Sequence, residues 1–117
     1  MAQLVACLST GKGTWGHVSR LMQENSWDKV ILITNEYGKE NFSKDEKTEL
    51  IAFNFNRGLS ELRNEIMNKL KDKVDGEVGV NFVSGTGKEH MALMAALIKL
   101  GVGIRFVALT KEGMQEL

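Results

Sequence analysis

Apolar residues along this chain come in short unbroken runs, and most runs are followed by a stretch of helical spacing. Leu4 to Leu8 is apolar throughout and stops at Ser9-Thr10-Gly11, which predicts a strand buried on both faces. Trp15, Val18, Leu21 and Met22 then share one helical face, predicting a helix to about Asn25. Val30 to Thr34 is continuous and rich in β-branched residues, a second strand. Residues 35–48 are polar and read as a long connection with room for one helical turn. Leu50 to Phe53, with Phe55, makes a third strand. Leu59, Leu62, Ile66 and Leu70 line one face of a second helix, with Ser60 or Asn56 as its cap. Val78 to Val83 is a fourth strand and Ile104 to Leu109 a fifth, whose Arg105 puts it nearer an edge. Between them Met91 to Leu100 is apolar almost all round, so that helix is expected to be buried on more than one side.

Strands alternating with helices give a parallel sheet covered on both faces. The simplest arrangement is a Rossmann-like, doubly wound, mostly parallel five-stranded sheet of order 3-2-1-4-5, in one domain over residues 1–117. Its order reverses between strands one and four, and ligands of such sheets bind beyond the carboxyl ends of the strands at that point. The two loops expected there are 9–16 (STGKGTWG) and 84–90 (SGTGKEH), the two Gly-rich loops of the chain, and each carries a lysine.

Composition narrows the function. Fifteen Lys and Arg balance fifteen Asp and Glu, so no bulk charge argues for duplex nucleic acid or a membrane surface, and any anion site must be local. The single cysteine, Cys7, lies in an apolar run and reads as a small core residue. One Cys and two His without a cluster predict no metal site, and no cofactor is expected. No apolar run approaches the roughly 20 residues of a membrane span, and Gln3 with 9–12 interrupts any signal sequence, so a cytoplasmic protein is expected.

A strand that ends in a Gly/Ser/Thr turn and opens a helix gathers free backbone N–H groups, the elements of an anion site. Lys12 and Lys88 add positive charge. Ser9, Thr10, Ser84 and Thr86 either satisfy turn backbone or hydrogen-bond a phosphate or ribose, and Gly11, Gly13, Gly85 and Gly87 let backbone approach a ligand. Gly11, Gly13 and Gly16 also spell the dinucleotide fingerprint G-x-G-x-x-G, with Glu36 where a ribose-binding acid would sit, but Ser9 and Thr10 intervene after the strand and Lys12 and Trp15 are bulky. The P-loop pattern fails: Phe82 occupies its first glycine position and Glu89 follows Lys88. His17 and His90, at the helix starts, are either capping or solvated imidazoles or donors to a phosphate. Trp15 reads as a core residue before a base-stacking one, and Asn81 as a residue that serves the fold.

The segment VNFVSGTGKEHMALMAALIKLG resembles the hallmark of CARF domains, the CRISPR-associated Rossmann-like sensors, whose strand-four motif reads like N-x-T-G-G-T-K-x-M. Asn81, Gly85, Lys88, Met91, Ala92, Ala95 and Ala96 fit that pattern, and LVACLSTGKGTWGHVSRLM followed by DKVILITNE looks like a CARF opening. The threonine role of the motif falls on Ser84 or Thr86. The resemblance implies a homodimer in antiviral signalling that binds a cyclic oligoadenylate, or another phosphate-containing ligand, across its two-fold axis. The ligand would be held by residues 9–13, 84–88 and His90. Some family members cleave the ring without metal, the ribose 2′-hydroxyl attacking the neighbouring phosphate. In this chain Ser9 or Thr10, together with Lys88, would serve that reaction. The expectation is a stand-alone CARF-like sensor; a metal-independent ring nuclease and a dinucleotide-binding or ligand-free interaction subunit are the alternatives.

Overall fold

The computed structural model describes residues 3–8, 12–24 and 26–117, with the side chain of Lys12 outside that description. Five strands follow the predicted alternation: β1 (Gln3–Cys7), β2 (Lys29–Thr34), β3 (Thr48–Ala52), β4 (Glu77–Asn81) and β5 (Gly103–Thr110). The helices are α1 (Trp15–Glu24), entered through a 3-10 turn at Lys12–Thr14, α2 (Glu36–Asn41), α3 (Leu59–Leu70) and α4 (Gly87–Leu100). A sixth strand, β6 (Gly113–Glu116), closes the order at β3-β2-β1-β4-β5-β6. The first five strands are parallel and β6 runs antiparallel to β5. The sheet is therefore Rossmann-like and doubly wound as expected, with one more strand.

The apolar run of β1 explains the two layers. Val5 and Cys7 point into a core shared with Leu62, Ile66 and Leu70 of α3 and Leu93 and Leu97 of α4. Leu4, Ala6 and Leu8 point the other way, onto Val18, Leu21 and Met22 of α1 and onto Trp27. A strand alternates its side chains, so only one covered on both sides can be apolar at every position. Gly79 of β4 is the small residue that this second layer requires, since a Cβ there would sit 2.9 Å from the Trp27 ring.

Several features refine or depart from the sequence reading. The polar connection after β2 contains a helix, α2, capped by the Asn35 side chain, which accepts from Gly38 N at 3.0 Å. The N-cap of α3 is Gly58, with Asn56 before it and Ser60 inside the helix. α4 begins at Gly87, ahead of Met91, because Thr86 has extended backbone and the chain is helical from the next residue. α4 is buried along one stripe only, Ala92, Leu93, Ala96 and Leu97, whereas Met91 and Ile98 are 62% and 63% exposed. Arg105 lies one strand inside the edge, where its guanidinium ties β4 to β6 through Glu77 (2.8 Å) and Glu116 (3.0 Å).

Candidate functional site at the carboxyl edge of the sheet

The order reverses between β1 and β4, and the chain leaves those strands for opposite faces of the sheet: α1 covers one, α4 the other. The start of α1 is joined to the end of β4 through His17 and Asn81. His17 Nε2 is 3.3 Å from Asn81 Nδ2 and 3.5 Å from Leu109 N. Two N–H donors converge on this nitrogen, so it accepts and the ring proton sits on Nδ1. Burial, and then the Arg20 charge, hold the imidazole below its ordinary pKa. Asn81 is nearly fully buried; it donates to Val107 O at 2.9 Å and accepts from Val83 N at 3.2 Å, so it ties β4 to β5 and starts the following loop.

That loop is folded from within. Gly85 has φ +104, and a Cβ there would sit 2.9 Å from His90 Nε2 and 3.2 Å from Cys7 Cβ, so glycine is required twice over. The His90 Nε2–H donates to Ser84 O at 2.7 Å, and the ring stacks on Phe82 at 4.6 Å. His90 thus shapes its own loop, and Ser84 is fully buried beneath it. Thr86 caps α4 by position and donates its hydroxyl to Glu89 at 2.5 Å. The T-x-x-E spacing is that of a capping box, yet the hydroxyl turns to the carboxylate and makes no side-chain cap bond, so the first N–H groups of α4 are left uncapped by it. Lys88 Nζ is exposed and donates to Phe55 O at 2.8 Å, across to the connection between β3 and α3.

A cleft of about 670 Å³ opens between these elements, beyond the ends of β1, β2 and β3 and against the start of α4. Its apolar surface comes from Leu8, Ala52, Phe53 and Phe55, its polar surface from Asn35, Glu36, Asn54 and Asn56. Thr86 and Glu89 belong to the α4 side. Glu89 is 9% exposed, and its charge adds to the burial that pushes the Cys7 thiol up, so Cys7 stays a protonated core residue. Of the residues expected to bind, Thr86 lines this cleft and Lys88 bridges two of the segments that border it, while Gly87 is exposed in the first turn of α4. Ser9, Thr10 and Gly11 lie outside the described residues, as does the Lys12 side chain. Gly13 and Gly16 meet nothing within 4 Å of an added Cβ, so Gly16 lacks the close helix–strand approach that the dinucleotide fingerprint demands of its third glycine. Trp15 is half-buried against Phe42 and Tyr37. Asn54 and Glu89 carried no signal in the sequence beyond the T-x-x-E spacing.

Among the described residues no group of His, Cys, Asp and Glu is arranged to hold a metal ion, and no helix is long and apolar enough to cross a membrane. Fold and cleft together define a Rossmann-like domain with a pocket at the topological switch point. No protein-family model matches the chain, and no curated protein does. Among solved structures, the fold is similar to Enterococcus italicus Csm6 bound to cyclic hexa-2′-fluoro-hexa-dAMP, with TM-score 0.52 and 14% identity. The match covers 95% of this chain and 34% of that one, so the chain spans about a third of the Csm6 chain.

Proposed function

We propose that this chain is a CARF-like sensor domain that binds a cyclic oligoadenylate at the switch-point cleft, as a homodimer in the cytoplasm. The observation that carries the reading is the cleft itself, which sets Thr86 and the start of α4 against the segments that follow β1, β2 and β3, on a fold similar to Csm6, a CARF-domain protein. The uncapped first turn of α4 and the exposed Lys88 ammonium, held by one carbonyl, supply donors for a phosphate. Lys12, Ser9 and Thr10 would approach the same ligand from the loop after β1. The homodimer is supported by a second surface. Phe82, Met91, Met94, Ala95 and Ile98 line an apolar groove of about 420 Å³ on the outer side of α4, and Phe106 extends it across β5. Such a patch beside the motif loop suits pairing of two copies around a symmetric ring of phosphates.

Titration of the protein with cyclic tetra-adenylate and cyclic hexa-adenylate in EDTA, with product analysis in parallel, tests this. Binding of either ring that is weakened at least about tenfold in Lys88→Ala, the loss of one charge-assisted contact, supports it. Absence of binding by both rings at micromolar protein overturns it.

A further inference from the structure

The described walls of the cleft are of the wrong sign for a phosphate. Glu36 and Glu89 are carboxylates, Asn35, Asn54 and Asn56 are amides, and among the described lining residues there is no Lys, Arg or His. An anion placed there would meet two like charges, one of them nine-tenths buried. The described donors for a phosphate lie outside, on Lys88 and the first turn of α4. A phosphate is better served at the mouth, and the described walls suit an uncharged part of the ligand.

We propose that the interior is a nucleobase pocket, and that Glu89, with Glu36, selects a base carrying an exocyclic amino group. This rests on the reading that the ligand is a nucleotide. The apolar surface of Phe53 and Phe55 suits the faces of a flat ring, and the carboxylates and amides suit its edge. An ionised carboxylate only accepts hydrogen bonds. Glu89 receives one from Thr86, and a base amino group supplies another donor to a carboxylate whose burial makes each donor valuable. Adenine presents such an amino group. Hypoxanthine, which has a keto oxygen at the same ring position, would set its lone pairs against the carboxylates. Sites built around hydrogen bonds reject analogues that cannot make them far more strongly than apolar pockets do.

The test compares cyclic tetra-adenylate and cyclic hexa-adenylate with the same rings carrying hypoxanthine in place of every adenine. The expected result is a preference for the adenine ring of at least about tenfold, one charge-assisted hydrogen bond's worth. Glu89→Gln replaces one acceptor oxygen with a donor and should reduce that preference at least about threefold. Glu36→Gln, on an exposed residue whose exchange leaves the core untouched, repeats the measurement where Glu89→Gln disturbs folding. Equal affinity for the two bases, or an unchanged preference in both variants, overturns the inference and leaves the proposed function standing. Failure of every ring to bind overturns both.

Discussion

His17 Nε2 stands 3.3 Å from Asn81 Nδ2, and this contact joins the first turn of α1 to the last residue of β4 across the point where the strand order reverses. Either residue alone is an ordinary polar group near a turn. Together they tie the start of α1 to the end of β4 at one edge of the sheet.

Protonation of His17 would place a third N–H among two donors. The folded-state pKa is lowered, so the unfolded chain binds this proton more readily than the folded one. Stability contributed by neutral His17 is then complete above the unfolded pKa of about 6.5 and is lost as pH falls from there to the folded pKa. Urea midpoints between pH 8 and pH 5 should fall more steeply for the native chain than for His17→Gln, whose amide oxygen still accepts but does not titrate.

Asn81→Ala removes a donor to Val107 O and an acceptor for Val83 N inside a nearly fully buried site. Stranding those groups is expected to cost about 2–3 kcal/mol in denaturant unfolding. In a double-mutant cycle with His17→Ala, a coupling of about 0.5–1 kcal/mol would register the link between them.

The motif loop holds two glycines with opposite requirements. Gly85→Ala forces a side chain onto a left-handed backbone and against His90 and Cys7, and should destabilise the fold by about 2 kcal/mol. Gly87 opens α4 with nothing within 4 Å of an added Cβ. Gly87→Ala should leave thermal stability equal or raise it by up to about 1 kcal/mol. Loss of stability in both would show that the loop is not built as described.

Met91 and Ile98 are exposed on the outer stripe of α4. Met91→Asp and Ile98→Asp should each leave the unfolding free energy of the monomer within about 0.5 kcal/mol of the native value, as surface changes do. If α4 pairs two copies, the same changes should convert a dimer to a monomer in light scattering after size exclusion. A native chain that is already monomeric at high concentration removes the homodimer from the proposal.

The sheet was legible because β1 and β2 carry unbroken apolar runs, Leu4 to Leu8 and Val30 to Ile33, a pattern with few other solutions in a chain this short. α2 was legible only as room for one helical turn, because its only buried residue is Gly38, which sits where a Cβ would overlap Thr34 Oγ1. β6 was not, because Gly113 to Glu116 has no apolar pattern and owes its strand to pairing with β5 after a turn in which Thr110 donates to Gly113 O at 2.9 Å. The switch point followed from topology, and Thr86 with Lys88 was found at its margin. The cleft interior escaped notice because Asn35, Asn54 and Glu89 belong to three separate segments, each unremarkable until the fold brings them together. His90, read as a capping imidazole or a phosphate donor, spends its Nε2–H on the Ser84 carbonyl within its own loop.

α4 carries its two surfaces on one rigid rod: Glu89 lines the cleft and Met91, two positions on, faces outward. Movement of that rod displaces both together. If filling the cleft shifts that rod, occupancy of the cleft and pairing of two copies in the proposed dimer would be linked, and the linkage would be reciprocal. The factor by which ligand tightens self-association would equal the factor by which self-association tightens ligand, so the apparent affinity would become a function of the domain's own concentration.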